Sequence, residues 1–156
     1  MNYYNEIKQE LINNEINRKV KNYSINKSDL NAYYNVGKIL SEAGKHYGEG
    51  IIKEYSERLT LDIGKRYGIS NLKRMRQFYY IIEKGVALPH QLSWSHICEL
   101  ITIDDDLERS FYEKECIASH WNVRSLRRQM DSALFLRLAA SKDKEGVLQL
   151  AQKGIV

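Results

Sequence analysis

The sequence predicts a mainly all-α protein, and three observations carry that expectation. Apolar residues recur at spacings near three and four almost throughout the 156 residues. One proline and nine glycines leave long stretches free of helix breakers. No segment shows the apolar–polar alternation of a half-buried strand. The length suits about one domain, large enough to bury roughly two thirds of its unfolded surface. With 43% hydrophobic and 28% charged residues, the composition is globular rather than disordered.

A first helix is expected over residues 4–22, with Ile7, Leu11, Ile16 and Val20 inward, though its many asparagines weaken it. Ser28 or Asp29 is the expected cap of a second helix, which carries Leu30, Tyr33, Tyr34, Gly37 and Leu40 and ends near Gly44 and the Tyr47-Gly48 pair. A third begins near Ile51, places Ile52, Tyr55, Leu59 and Ile63 on one face, and stops at Gly64. After a short connection over 65–69, Ser70 is the expected cap of a fourth helix ending at Gly85. Residues 86–91 form a loop around the only proline, and a minimal wing in 86–92 would leave no periodic signal. A short helix starts at Ser93 or Ser95, and Asp105 with Glu108 reads as a capping box for the next. Asn122 caps a long helix to about Ala140, and a weaker one covers 142–153.

The charge is unevenly placed. Residues 64–84 hold Lys65, Arg66, Lys73, Arg74, Arg76 and Lys84 against Glu83 alone, a net +5 within a chain of net +4. Residues 99–116 carry −5, and residues 120–144 return to +4. Such clustering fits either a nucleic-acid footprint or a solvated helix face.

The third and fourth helices, joined by a connection containing Gly64 and Gly68, have the outline of a helix-turn-helix. At about 100° per residue, Leu72, Met75, Phe78, Tyr79 and Ile82 of the fourth helix share the arc toward the core. Ser70, Lys73, Gln77, Tyr80 and Lys84 fall opposite, with Arg74 and Arg76 at the margins. Together with Lys65 and Arg66, these are the candidate DNA-binding residues: long donors for phosphate and base edges, and an aromatic that can pack on sugar or base.

The blocks Tyr33-Tyr34-Asn35-Val36-Gly37-Lys38-Ile39, Tyr47-Gly48 and Asn71-Leu72-Lys73-Arg74-Met75-Arg76-Gln77-Phe78-Tyr79 resemble the N-terminal domain of YhcG-like proteins. Leu92-Ser93-Trp94-Ser95-His96, Phe111-Tyr112 and the run from Trp121 to Met130 match the same family in the same order, covering about residues 28–153. The resemblance implies a helical, winged-helix-like domain that binds DNA or a partner and precedes a nuclease domain of the PD-(D/E)XK type. It divides the chain into an N-terminal helix (1–27), a helix-turn-helix-like domain (28–140) and a tail (141–156) leading toward a nuclease domain that this sequence lacks.

A PD-(D/E)XK site needs an aspartate and an acid-x-lysine triplet on a strand to hold magnesium. The only such triplet, Glu6-Ile7-Lys8, falls on a helix with no aspartate before it, so no catalytic residue, metal or cofactor is expected. Neighbours on a helix point about 100° apart, so Ser95 and His96 cannot pair as nucleophile and base. Asp104-Asp105-Asp106 suits a helix start better than a metal site. Cys98 and Cys116 lack a disulfide or zinc pattern. A polar N-terminus and the absence of a long apolar run point to a cytoplasmic protein off the membrane.

The long helix from Asn122 places Val123, Leu126, Met130, Ala133 and Leu134 inward and Trp121, Arg124, Arg128 and Phe135 opposite. Either another helix covers those aromatics, or the four residues anchor a partner or a homodimer. Two functions follow: a DNA-binding targeting module for a nuclease domain or subunit, or a protein-interaction or dimerisation module whose basic helices meet the acidic 99–116 segment of a neighbour.

Overall fold

The structure, a computed structural model, describes residues 2–20, 25–86 and 90–152. The described residues are all-α, with nine α-helices, one 3-10 turn and no strand. The chain divides into two compact units, Met1–Trp94 and Ser95–Val156. The loop over 87–89, where a minimal wing would fall, lies outside the described residues.

In the first unit, α2 (Ile25–Tyr47) is the central helix, packed against α1 (Tyr3–Val20), α3 (Gly50–Asp62) and α4 (Ile69–Glu83). Each contributes its apolar stripe to one core: Ile7 and Leu11, Tyr33, Val36 and Leu40, Ile52 and Leu59, Leu72 and Met75. Ile7 and Leu11 belong to this core, so α1 packs within the first unit. Ile16 and Val20, expected inward, are exposed, Val20 at 75%, because the last turns of α1 run past the core. Gly37 is where α2 meets α4 most closely. A methyl group there would lie 2.8 Å from the Met75 carbonyl carbon, 2.9 Å from Tyr79 Cβ, and closer still to the Met75 carbonyl oxygen. α2 ends after Tyr47, and Gly48 takes φ +89°, the left-handed conformation that suits glycine; Gly44 is inside the helix.

Two expected caps are not caps. α2 starts at Ile25, so Ser28 and Asp29 are helical and buried. Asn14 of α1 donates from Nδ2 to Asp29 Oδ1 at 2.9 Å and accepts from the Ser28 hydroxyl, and Arg18 Nε is 3.6 Å from Asp29. Desolvation still raises the Asp29 carboxyl above its ordinary value. Serine and aspartate are cap formers because they bond nearby backbone, and here a tertiary partner on α1 takes that capacity. Ser70 is likewise inside α4, whose N-cap is Gly68. The preceding 3-10 turn (Lys65–Tyr67) is pinned by Tyr67, which is fully buried, donates its hydroxyl to Glu15 at 2.8 Å and accepts from the Ser56 hydroxyl at its carbonyl.

The second unit carries α5 (Trp94–Leu100, of which only Trp94 belongs to the first unit), α6 (Asp106–Ala118), α7 (Val123–Asp131), α8 (Leu134–Ala140) and α9 (Lys144–Gln152). Asp105 caps α6 by accepting from the Leu107 and Glu108 amides, and Asn122 caps α7 by accepting from the Ser125 amide. The long helix expected over 122–140 is broken. Ser132 ends α7, and Ala133 takes φ +55° and ψ +46°, left-handed values that disfavour a side chain. The Tyr112 hydroxyl accepts from the Phe135 amide at 3.1 Å, and Arg137 donates to the Ser132 carbonyl and hydroxyl. These bonds hold the break. Ala133→Gly is therefore expected to stabilise the unit by about 0.5–1 kcal/mol in urea unfolding, whereas glycine in a continuous helix would cost about 1 kcal/mol. A loss on this substitution would mean that α7 and α8 are one helix.

The break also corrects the expected faces. Trp121 precedes the helix rather than extending its face, and is buried at 6% exposure. Phe135 follows the break and is half-buried, its ring 5.4 Å from that of Phe111. The 100° rule placed Trp121 outward by extending the helix back past its cap, and Phe135 outward by assuming no break.

Candidate nucleic-acid interface

α4 is locked into the first unit from one side. Leu72, Met75, Phe78 and Ile81 are buried, while Tyr79 and Ile82 are half-buried. Trp94 anchors the same helix. Its ring is 4.9 Å from Tyr33 and 5.5 Å from Phe78, and its Nε1 donates to Asn71 Oδ1 at 2.8 Å. The opposite side is a polar stripe on a rigid support.

On that stripe Ser70, Lys73, Arg74, Gln77, Tyr80 and Lys84 are exposed, as are Lys65 and Arg66 of the preceding turn. Among the described residues, Lys65, Lys73, Arg74 and Lys84 form no ion pair. Arg66 points one guanidinium nitrogen at Glu15, 3.5 Å away. The Tyr80 hydroxyl accepts from Ser41 at 3.2 Å, which fixes the ring beside the helix.

Arg76 differs from its neighbours. Its guanidinium makes a two-pronged contact with Glu49, at 2.7 and 3.2 Å, and its side chain is only 16% exposed. The hydrogen bond and charge of Arg76 hold the Glu49 carboxyl below its ordinary range. Sequence reasoning had no means to see this pair, because 27 residues separate its members. With Arg66 on Glu15 and Arg76 on Glu49, two of the six cations of this segment are in ion pairs.

In the second unit Arg124 and Arg128 are exposed on α7, whereas Trp121 and Phe135 are turned into the unit. Arg127 donates to Glu99 Oε1 from both Nε and Nη2. Arg124, Arg127, Arg128, Asp131 and Ser132 line an open depression of about 590 Å³.

Several residues weighed for catalysis or metal binding have other partners. Glu6-Ile7-Lys8 lies inside α1, and Lys8 sits 3.4 Å from Asp62. Asp105 caps α6, Asp106 pairs with Arg109, and a His96 ring nitrogen is 2.9 Å from the Trp121 carbonyl oxygen. Burial pushes the Cys116 thiol up to about 11. Among the described residues, no group of three His, Cys, Asp or Glu is placed to hold a metal ion, and no helix is long and apolar enough to cross a membrane.

Comparison with known proteins adds a family. The model of the DUF1016 N-terminal domain matches residues 6–137. A protein of Escherichia coli (strain K12) with the name "Putative nuclease YhcG" is 27% identical, the match covering 69% of this chain and 37% of that protein. The chain thus spans well under half the length of the curated relative it matches. No solved structure matches it.

Proposed function

This chain belongs to the DUF1016 N-terminal domain family, and from that premise we propose that it is a non-catalytic DNA-binding module that targets a nuclease. In this reading α3, the 3-10 turn and α4 act as a helix-turn-helix of winged-helix type, and α4 enters the major groove. The observation that carries it is the exposed row of Lys73, Arg74 and Lys84, continued by Lys65, on a helix whose other face is fixed in the core. Cations held on a rigid support and in no ion pair among the described residues suit phosphate contacts, and Gln77 and Tyr80 beside them suit base edges and sugars. The nuclease is inferred from the name of the relative, as a C-terminal domain or a separate subunit.

The test is a titration of labelled duplex DNA between about 50 and 200 mM salt, where counterion release shows its slope. Neutralising Lys73, Arg74 and Lys84 together should make the slope of log K against log salt less steep by about 3, at roughly 0.9 per phosphate contact. Arg76→Ala alone should leave the slope unchanged, because that guanidinium is held by Glu49. No binding by the wild-type chain, or an unchanged slope in a folded triple variant, would end this reading. A rival reading, a protein-interaction or homodimerisation module, draws on Leu107, which is 70% exposed among the acidic residues of α6. Concentration-dependent self-association without DNA binding would favour it.

A further inference from the structure

Nine of the eleven asparagines of the chain fall within its first 35 residues. Five of them line one groove of about 460 Å³ in the first unit: Asn13, Asn14 and Asn17 of α1, with Asn31 and Asn35 of α2. Asparagine is among the weaker helix formers, because its side chain competes for backbone hydrogen bonds. Helix stability therefore gives no reason to gather five of them on two facing helices. Packing accounts for one. Asn14 is 2% exposed and bonds Ser28 and Asp29 across the helices, which fixes the floor of the groove. Asn13 accepts from Gln9, and Asn35 donates to Glu10 at 3.3 Å, so each keeps further bonding capacity. Among the described residues, the side-chain amides of Asn17 and Asn31 form no hydrogen bond.

The lining discriminates between occupants by its chemistry. A primary amide carries a donor and an acceptor side by side, and a peptide unit offers the complementary pair. Glu10 and Lys27 are the charged residues of this lining and have opposite signs, so it offers a phosphate backbone no net positive field. No aromatic ring belongs to it among the described residues, so a base or a sugar would find no face to stack on. Ala32 is its one apolar side chain, too little to seat the apolar stripe of a partner helix. Along α2 the groove runs from Lys27 to Asn35, about 12 Å at the helical rise. That length matches roughly three to four residues of extended chain.

We infer that the asparagine groove between α1 and α2 holds an extended segment of another polypeptide by its backbone, with Asn17 and Asn31 pairing to its peptide groups. Recognition through main-chain hydrogen bonds tolerates different side chains, so the fit depends on the partner being extended more than on its sequence. The inference uses no residue of α4 and does not depend on DNA binding.

The experiment titrates the isotope-labelled full chain with tetra-alanine blocked at both ends, followed by NMR of the asparagine side-chain amides. Saturable shifts at Asn17 and Asn31 are expected. The same peptide with an N-methylated backbone, which has no N–H to donate, should leave those signals in place. Asn17→Ala/Asn31→Ala should weaken peptide binding by at least about tenfold, since two or more hydrogen bonds are lost. Its melting temperature should not fall, because alanine is the better helix former, so lost binding cannot be put down to misfolding. No saturable shift with the blocked peptide would overturn the inference. So would equal binding of the N-methylated peptide, or undiminished binding by the alanine variant. Adenosine bound as tightly as the peptide would overturn it in favour of a base-reading groove, since an asparagine amide also pairs with adenine. Shifts of the same two amides on adding duplex DNA, with none on adding peptide, would assign the groove to nucleic acid instead.

Discussion

Gly37→Ala is expected to destabilise the first unit by about 2–3 kcal/mol, the usual cost of forcing an extra carbon into a packed contact. The change runs against local preference, because alanine is favoured over glycine inside a helix by about 1 kcal/mol. The contact decides the sign. The new methyl would meet the carbonyl group of Met75 and the Cβ of Tyr79, atoms of the facing helix that no side-chain rotation can move away. α2 and α4 would have to separate, uncovering Val36, Leu40 and Met75, each fully buried. Gly44, two turns further along α2, supplies the control. A methyl there would meet only the Arg76 Nη1, at 3.8 Å, so Gly44→Ala should stabilise by about 0.5–1 kcal/mol. Urea unfolding of the two variants gives the answer. Equal gains at both positions would mean that α4 does not cross α2 at Gly37.

Trp94→Ala is expected to cost about 3 kcal/mol, the lower end for removing a large aromatic, since the ring is half-buried. The variant loses the ring contacts to Tyr33 and Phe78 and leaves the Asn71 carbonyl oxygen without its donor. Trp94→Phe keeps a ring in place and loses only the hydrogen bond, for about 1 kcal/mol. Because Trp94 braces α4 at Asn71 and Phe78, the alanine variant should, on the proposed reading, also weaken DNA binding without altering any surface cation. A Trp94→Ala chain within 0.5 kcal/mol of the wild type would show that the ring is not an anchor.

Much of the fold was legible because its signals are local. Asp105 and Asn122 were readable as caps because the amides they accept from lie two or three residues on, within the same turn of chain. The buried side of α4 was readable because Leu72, Met75 and Phe78 repeat at the helical period. Ser28, Asp29 and Ser70 are the same residue types as true caps, yet stand inside helices. Nothing local distinguishes them. The break after α7 was hidden for a related reason: Ala133 is the best helix former, and the bonds that hold the break come from Tyr112 and Arg137.

The candidate surface divides in the same way. Helical geometry alone set Lys73, Arg74, Gln77, Tyr80 and Lys84 on one side of a helix, and the family blocks pointed to the domain type. Which of the cations remain unpaired was decided by Glu49 and Glu15, brought in from 27 and 51 residues away. Likewise, the burial of Trp121 left α7 with arginines rather than aromatics at its surface. The sequence by itself determined the helices, their apolar faces and the basic character of two segments, because periodicity and charge are properties of neighbouring residues. The tertiary structure alone decided which polar groups spend their hydrogen bonds inside the molecule, because a carboxylate or amide bonds whatever the fold brings within about 3 Å.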